Sequence, residues 1–360
     1  MNFEIESAAL IKGLSCVQRI IGKSSASQCV IEATAKRGIR LSGETIEGAR
    51  KFALYLSDCE VKKRGSVTVD PVVLSTALTG KGVVSLISNP SSKNASNTLK
   101  VKSLKGRYSG ALTLLPPTKV EISIADSRTL GGELKKTLFE MLPRVSLTSQ
   151  FVEGDMLAHI RMDKKGITVG CFDHYHGALS VNTEGSAVDS AFEFKLPLHY
   201  VEILRGLPSD NLKLSIDSSS VTVFCREYEL RLPLVQTEAR SLDELEQLLS
   251  IMGDEKASFE CSRDALVVAL KGQTAVYESS TSTVLHVGKS GITVETKSSY
   301  GNIREGIKVT TKGETKILFQ VPQLLDMLPL CSPTIVFKIM ERVFVIEDAE
   351  TNTTYLGSTF

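Results

Sequence analysis

The sequence predicts an α+β fold of three tandem repeats, each with amphipathic helices packed on antiparallel sheets. Three observations predict it. A Gly-Ile strand signature occurs three times, as Gly38-Ile39-Arg40-Leu41, Gly166-Ile167-Thr168-Val169 and Gly291-Ile292-Thr293-Val294, at intervals of 128 and 125 residues. A proline opening a short apolar helix follows each signature, at Pro71, Pro197 and Pro322, which is 33, 31 and 31 residues on. Proline suits the first helical position, where its missing N–H would have no helical partner. Alternating apolar and polar residues then mark half-buried antiparallel strands. A spacing of about 126 residues exceeds a solenoid unit and matches a domain.

The first repeat opens with a strand at Phe3 and Ile5. A helix over 7–22 follows, with Leu10, Leu14, Val17 and Ile21 on one face. Strands surround Gly38, and Pro71 starts a helix that runs through Leu78. The second repeat opens with a strand at Val120–Ile124, then a helix over 127–147 with Leu134, Leu138, Met141 and Val145 on one face. Its proline-started helix carries Val201–Leu204, and its closing strands carry Leu212, Leu214, Ile216 and then Leu230, Leu232, Leu234. The third repeat opens at Ser258–Cys261, continues with a helix bearing Leu266 and Leu270, and closes with Ile335, Phe337, Ile339, Val343 and Val345. The repeating unit reads β-α-β-β-β-α-β-β-β.

This places domains at 1–118, 119–236 and 257–360, with a linker over 237–256. Within the linker, Ser241-Leu242-Asp243-Glu244 reads as a capping box, and Leu245, Leu248, Leu249 and Met252 form an apolar face. The linker is therefore a short acidic helix, or else a solvated segment with one packed turn.

The chain carries 42 Lys+Arg against 41 Asp+Glu, with 42% hydrophobic residues, which excludes disorder as the main state and a strongly basic nucleic-acid binder. The balance hides a separation. Residues 237–255 hold six acids and one Arg, so the three repeats are on balance positive. The opening Met-Asn-Phe-Glu-Ile-Glu lacks the basic-then-apolar pattern of a secretory signal, and no apolar run is long enough to span a bilayer. Seven widely spaced cysteines without Cys-x-x-Cys fit free thiols in a reducing cytoplasm. Nucleophile-elbow, P-loop and dinucleotide motifs are absent, so neither enzymatic activity nor a cofactor is expected. The cluster Cys171, Asp173, His174, His176 offers zinc-type ligands, but no further ligands stand at a typical spacing. A metal-dependent hydrolase built on it is the remaining enzymatic alternative.

Four segments carry a family resemblance: Leu99–Pro116 with Arg107-Tyr108-Ser109 and Leu114-Leu115-Pro116; Asp155-Met156-Leu157 through Phe172-Asp173-His174; Phe319-Gln320-Val321 through Leu328; and Tyr355-Leu356-Gly357-Ser358. With the threefold repeat, they make the chain resemble the bacterial DNA polymerase III beta sliding clamp over nearly its whole length. The resemblance implies three clamp-fold domains per chain and a head-to-tail homodimeric ring, with helices inside and sheets outside. Such a ring encircles double-stranded DNA, tethers the replicative polymerase and is opened by a clamp loader; no membrane is involved. A clamp-fold accessory subunit that closes no ring is the alternative.

The resemblance also assigns residues. The ring interface falls at Arg107, Tyr108, Val276 and Tyr277. The pocket for partner peptides falls at Phe172, His174, Tyr175, His176, Leu356 and Phe360. Here His174 stands where the family has Gly, and Gly177 where it has Leu, departures that fit a divergent, phage-encoded member. A clamp needs weak, sequence-blind attraction to phosphates, which calls for cations on inward helices. The first long helix offers Lys12 and Arg19 without an acid, with Lys23 just beyond it. The second offers Arg128, Lys135, Lys136 and Arg144 against Glu133 and Glu140, and the third Arg263 and Lys271 against Asp264. The shorter helices add Lys81 and Arg205. The alternative is that these are ordinary solvated faces.

Overall fold

The computed structural model describes residues 1–22, 28–35, 37–88, 98–106, 108–124, 132–147, 156–173, 176–183, 191–205, 213–235, 241–278 and 281–359, excepting the side chains at 132–135, 192, 202 and 205. The first repeat runs β1 (Asn2–Glu6), α1 (Ser7–Ile21), β2 (Cys29–Thr34), β3 (Gly38–Glu44), β4 (Lys51–Leu56), β5 (Cys59–Lys63), β6 (Gly65–Val69), α2 (Pro71–Leu78), β7 (Val83–Ile87), β8 (Thr98–Ser103) and β9 (Ser109–Thr113). The second runs α3 (Gly132–Met141), β10 (Leu157–Asp163), β11 (Gly166–Phe172), β12 (His176–Asn182), β13 (Phe192–Pro197), α4 (His199–Arg205), β14 (Lys213–Ile216), β15 (Ser220–Phe224) and β16 (Tyr228–Pro233). After α5 (Leu242–Ser250), the third runs β17 (Ala257–Ser262), α6 (Arg263–Gln273), β18 (Thr283–Gly288), β19 (Gly291–Ser298), β20 (Gly301–Ile307), β21 (Thr311–Lys312), β22 (Thr315–Phe319), α7 (Val321–Met327), β23 (Thr334–Ile339), β24 (Val343–Asp348) and β25 (Thr353–Ser358).

Between its two helices the first repeat has five strands (β2–β6), the second four (β10–β13) and the third five (β18–β22), where the repeat pattern predicts three. Two other expectations change. Val120–Ile124 is not a strand. Arg40 Nη2 donates to the Val120 carbonyl at 3.0 Å, so a side chain takes the place of a ladder there. The helix expected over 127–147 is described as α3 followed by a 3-10 turn, Leu142–Val145. Pro143 lacks the N–H that would continue the α-helical ladder. Pro197 ends β13, and α4 begins at His199.

The chain forms two compact units, and the cut falls within the second repeat. The first unit comprises Met1–Gly132 and Asp210–Leu234. It holds a five-stranded sheet, β5-β1-β7-β8-β9, and a seven-stranded sheet, β14-β15-β16-β4-β3-β2-β6. Helix α1 buries Leu10, Leu14, Val17, Ile20 and Ile21. Each such side chain removed from water stabilises the fold by about 1.5–3 kcal/mol. Gly13 brings α1 close, since a Cβ there would lie 2.6 Å from Leu41 Cδ1. Asp70 caps α2, its Oδ1 accepting from the N–H groups of Val72 (2.8 Å) and Val73 (3.1 Å), just before Pro71.

The second unit comprises Glu133–Ser209 and Val235–Phe360. It holds a four-stranded sheet, β20-β19-β18-β22, and a nine-stranded sheet, β13-β10-β11-β12-β25-β24-β23-β17-β21. Stacked Phe259, Phe337 and Phe344 anchor the β23 region of its core. No helix among the described residues is long and apolar enough to cross a membrane.

Candidate functional site

One face of the nine-stranded sheet carries the candidate partner seat. In register, His159 lies opposite Gly170, Gly170 opposite Leu179, Phe172 opposite Gly177, and Gly177 opposite Leu356. Residues opposite one another point to the same face. Two glycines in this patch make room for α5. A Cβ on Gly170 would lie 2.5 Å from Leu242 Cδ2, and one on Gly177 would lie 2.9 Å from Phe172 Cβ and 3.4 Å from Leu245 Cδ1. Leu242, Leu245 and Leu179 form a buried cluster, with Phe172, Val181, Leu249 and Leu356 packed around it. The linker helix is therefore a wall of the seat. The cap at Ser241 was legible, its Oγ accepting from the Glu244 N–H at 3.4 Å. The face was legible in part: Leu245 is buried and Leu249 packs against it, but Leu242 is also fully buried, whereas Leu248 is 40% exposed. Arg161 on β10 fastens the helix, donating to Asp243 at 2.6 Å and also to Glu246.

His176 occupies a different place from the one its position in the sequence implied. Its ring is buried and turned to the opposite face. Asp173 Oδ1 accepts from the His176 backbone N–H and meets Nδ1, both at 2.9 Å, while Asp326 of α7 lies 3.8 Å from Nε2. Burial opposes a charge on this ring, but hydrogen bonds to Asp173 and Asp326 outweigh it and push its pKa up to about 9. His176 thus ties the start of β12 to Asp173 and does not face the seat. His174, Tyr175 and Phe360 lie outside the described residues. Cys171 is buried, and burial, with Asp173 next, pushes its thiol pKa up. Among the described residues, no group of three or more His, Cys, Asp or Glu could hold a metal ion.

His159 stands alone in the sequence, with no motif around it. Its ring packs on Phe172 at 4.9 Å between centroids, and the residue is 3% exposed. Burial, reinforced by Lys195, pushes its pKa down to about 4, so the ring is neutral. Its Nδ1 is buried without a hydrogen-bond partner.

The cations sort into two groups. Lys12 and Arg19 are exposed on α1, Lys271 is exposed at the end of α6, and Lys136 is exposed 3.8 Å from Glu140. The others are engaged. Arg144 donates to the Thr351 carbonyl at 3.2 Å. Arg263 donates to Asp264 (2.9 Å) and the Cys331 carbonyl (2.7 Å). Lys81 Nζ sits 4.3 Å from the Tyr108 ring centroid. Lys23 and Arg128 lie outside the described residues, as do the side chains of Lys135 and Arg205.

Tyr108 immediately precedes β9, an edge strand of the five-stranded sheet, and β20 is an edge strand of the four-stranded sheet. Val276 is buried beneath the start of β20, its Cγ1 3.7 Å from where a Cβ on Gly301 would stand. Half-buried Tyr277 donates its hydroxyl to Gln320. Arg107 lies outside the described residues.

No family model matches the sequence, and no curated protein does. Solved structures match over the whole chain. The beta subunit of the Streptococcus pyogenes DNA polymerase superposes with a TM-score of 0.85 at 15% identity, covering 100% of both chains. The DNA polymerase III subunit beta of Pseudomonas aeruginosa gives 0.83 at 15% identity, again covering 100% of both. The DNA polymerase sliding clamp of Bacillus subtilis gives 0.83 at 15% identity, covering 100% of this chain and 99% of that one. The chain has the sliding-clamp fold of DNA polymerase III beta subunits.

Proposed function

We propose that the chain is a DNA sliding clamp, a non-enzymatic processivity factor that closes as a head-to-tail homodimer around double-stranded DNA. A rule of strand pairing carries this reading. The closing strand of the second repeat, β16, pairs with β4, the third strand after the first helix of the first repeat, as in Tyr228 opposite Leu54. The closing strand of the third repeat, β25, pairs with the third strand of the second, β12. The remaining closing strand is β9 and the remaining third strand after a first helix is β20, and each lies at one edge of its sheet. Pairing β9 of one copy with β20 of another, twice over, leaves neither edge open. A head-to-tail contact that closes gives a ring rather than a filament. Tyr108, with Arg107 before it, flanks the first edge, and Val276 and Tyr277 underlie the second. Domains at 1–118, 119–236 and 257–360 follow from the same repeat.

In this reading Lys12, Arg19, Lys136 and Lys271 give the bore a mild positive field, joined by Lys23, Arg128, Lys135 and Arg205. Contacts to phosphates are then weak and interchangeable, which permits sliding. The seat beside α5 takes peptides of the replicative polymerase and the clamp loader, and the work is done in the cytoplasm.

The test is retention on DNA. The protein is loaded by a clamp loader onto nicked circular DNA, which is then linearised at high salt. Release on linearisation, with a sedimenting species of about 78 kDa, twice the 39.1 kDa chain, is expected. Equal retention on circles and linear molecules, or a monomer at all concentrations, sinks the ring.

A further inference from the structure

The three repeats can be compared rung by rung. Four residues after the strand glycine stand Ser42, Gly170 and Glu295, and their partners across the ladder are Val30, His159 and Val284. The fold accepts valine at this rung twice, so the histidine of the second repeat is not required by the sheet. It is also costly there, because a buried polar atom without a partner loses its hydrogen bonds to water and gains nothing in return.

The orphan atom sits at the edge of the apolar seat. Phe172, half-buried, covers the imidazole ring, and beyond it lie Leu356, Leu179 and Leu245. The ring is neutral, so one nitrogen carries the proton and the other offers a lone pair. With the proton on Nε2, Nδ1 is an acceptor.

We propose that His159 sets the specificity of the seat, which takes a partner side chain with an aromatic body and a hydrogen-bond donor, a tyrosine or tryptophan, that displaces Phe172 and donates to His159 Nδ1. This rests on the reading of the seat as the site of partner peptides. The aromatic body replaces the Phe172 ring on the imidazole and keeps the leucine wall covered. The O–H or N–H satisfies the atom that is unpaired in the free protein. A purely apolar partner gains the same burial but leaves Nδ1 unpaired. Selectivity comes from the hydrogen bond that only a donor-bearing partner supplies to an atom already unpaired in the free protein.

The test uses the full chain and two probes of one shape, p-cresol and toluene, titrated against protein carrying 15N-histidine and 13C-labelled Leu and Phe. Both probes should shift Phe172 and Leu356 resonances. Only p-cresol should move the His159 Nδ1 resonance toward its hydrogen-bonded value. The preference for p-cresol over toluene should fall about five-fold in His159→Leu. The Nδ1 shift in the native protein decides the matter even if that variant folds poorly. An unmoved Nδ1, or the same preference in native and variant, overturns the proposal. Probes that shift neither Phe172 nor Leu356 overturn the seat as well. Release from linearised DNA is read separately on the native protein, so the clamp reading and this inference can fail independently.

Discussion

The two linkers between repeats do one job in two ways. In the first unit, residues 114–124 run extended beside the seven-stranded sheet. Leu115 N–H donates to the Thr68 carbonyl at 3.0 Å, and Arg40 catches the Val120 carbonyl. This leaves a cavity of about 430 Å³, lined by Val30, Arg40, Leu114, Leu115, Pro117 and Val120 among others. In the second unit the linker is the capped helix α5, caught by Arg161 through two carboxylates and laid directly over Gly170. The rung that is Gly170 in one sheet is Ser42 in the other. A missing side chain admits a helix. A serine with an arginine beside it, Arg40 Nη1 to Ser42 Oγ at 3.2 Å, holds an extended strap instead.

The largest test of that contrast is truncation of each linker at its leucine. Leu245→Ala removes a fully buried side chain and should cost about 2–4 kcal/mol. Leu115→Ala, at a half-exposed position facing an existing cavity, should cost under about 1 kcal/mol. Urea midpoints followed by probes in each unit read both. Equal losses would show that the strap and the helix bear the same load.

Next in size is pH, because all five histidines lie outside the first unit. His176 has a folded pKa raised to about 9, so its stabilising contribution is complete below its unfolded value and is lost as pH rises through 9. His159 has a folded pKa lowered to about 4, so the unfolded state binds the proton first, and stability falls as pH drops from near 6.5 toward 4. Each limb should be on the order of 2 kcal/mol. Unfolding of the second unit, followed from pH 4 to 10, should lose its acid limb in His159→Leu and its alkaline limb in His176→Asn. Persistence of either limb in its variant would assign it to other groups.

The smallest effect is expected at the arginines. Arg161→Ala should cost about 1 kcal/mol, since Asp243 and Glu246 both keep access to water. Hydrogen exchange should rise in α5 and not in the strands below. Arg40→Ala strands the Val120 carbonyl and should loosen residues 116–122 alone. A variant that leaves exchange unchanged at its linker would show that packing alone holds it.

These contrasts mark what the sequence could and could not disclose. The recurring Gly-Ile and proline positions located the strands and α2, and the face of α1 matches its buried side, because a repeat imposes the same local pattern each time. Val120–Ile124 alternates like a strand, yet its partner is an arginine side chain 80 residues earlier, which alternation cannot report. Cations were identified by type, but Arg144 and Arg263 spend their donors on carbonyls over 60 residues away. The resemblance assigns His176 to the pocket by position alone. Of the two carboxylates beside its ring, Asp173 is local but Asp326 comes from another repeat, out of reach of any local pattern. His159 is the clearest gap. A lone histidine carries no motif, and only the rung-by-rung register shows that valine would have served.

The order of the nine-stranded sheet bears on how the protein is made. Strand β25 lies in its middle, between β12 and β24, although it is the last of those strands to be synthesised. Until it emerges, the nascent chain can assemble only β13-β10-β11-β12 on one side and β24-β23-β17-β21 on the other. Both halves then present bare backbone along β12 and β24, the kind of surface that recruits stray chains. Completion of this unit waits for Thr353–Ser358 to leave the ribosome, and a chain stopped before Thr353 leaves two adhesive half-sheets in place of one closed seam.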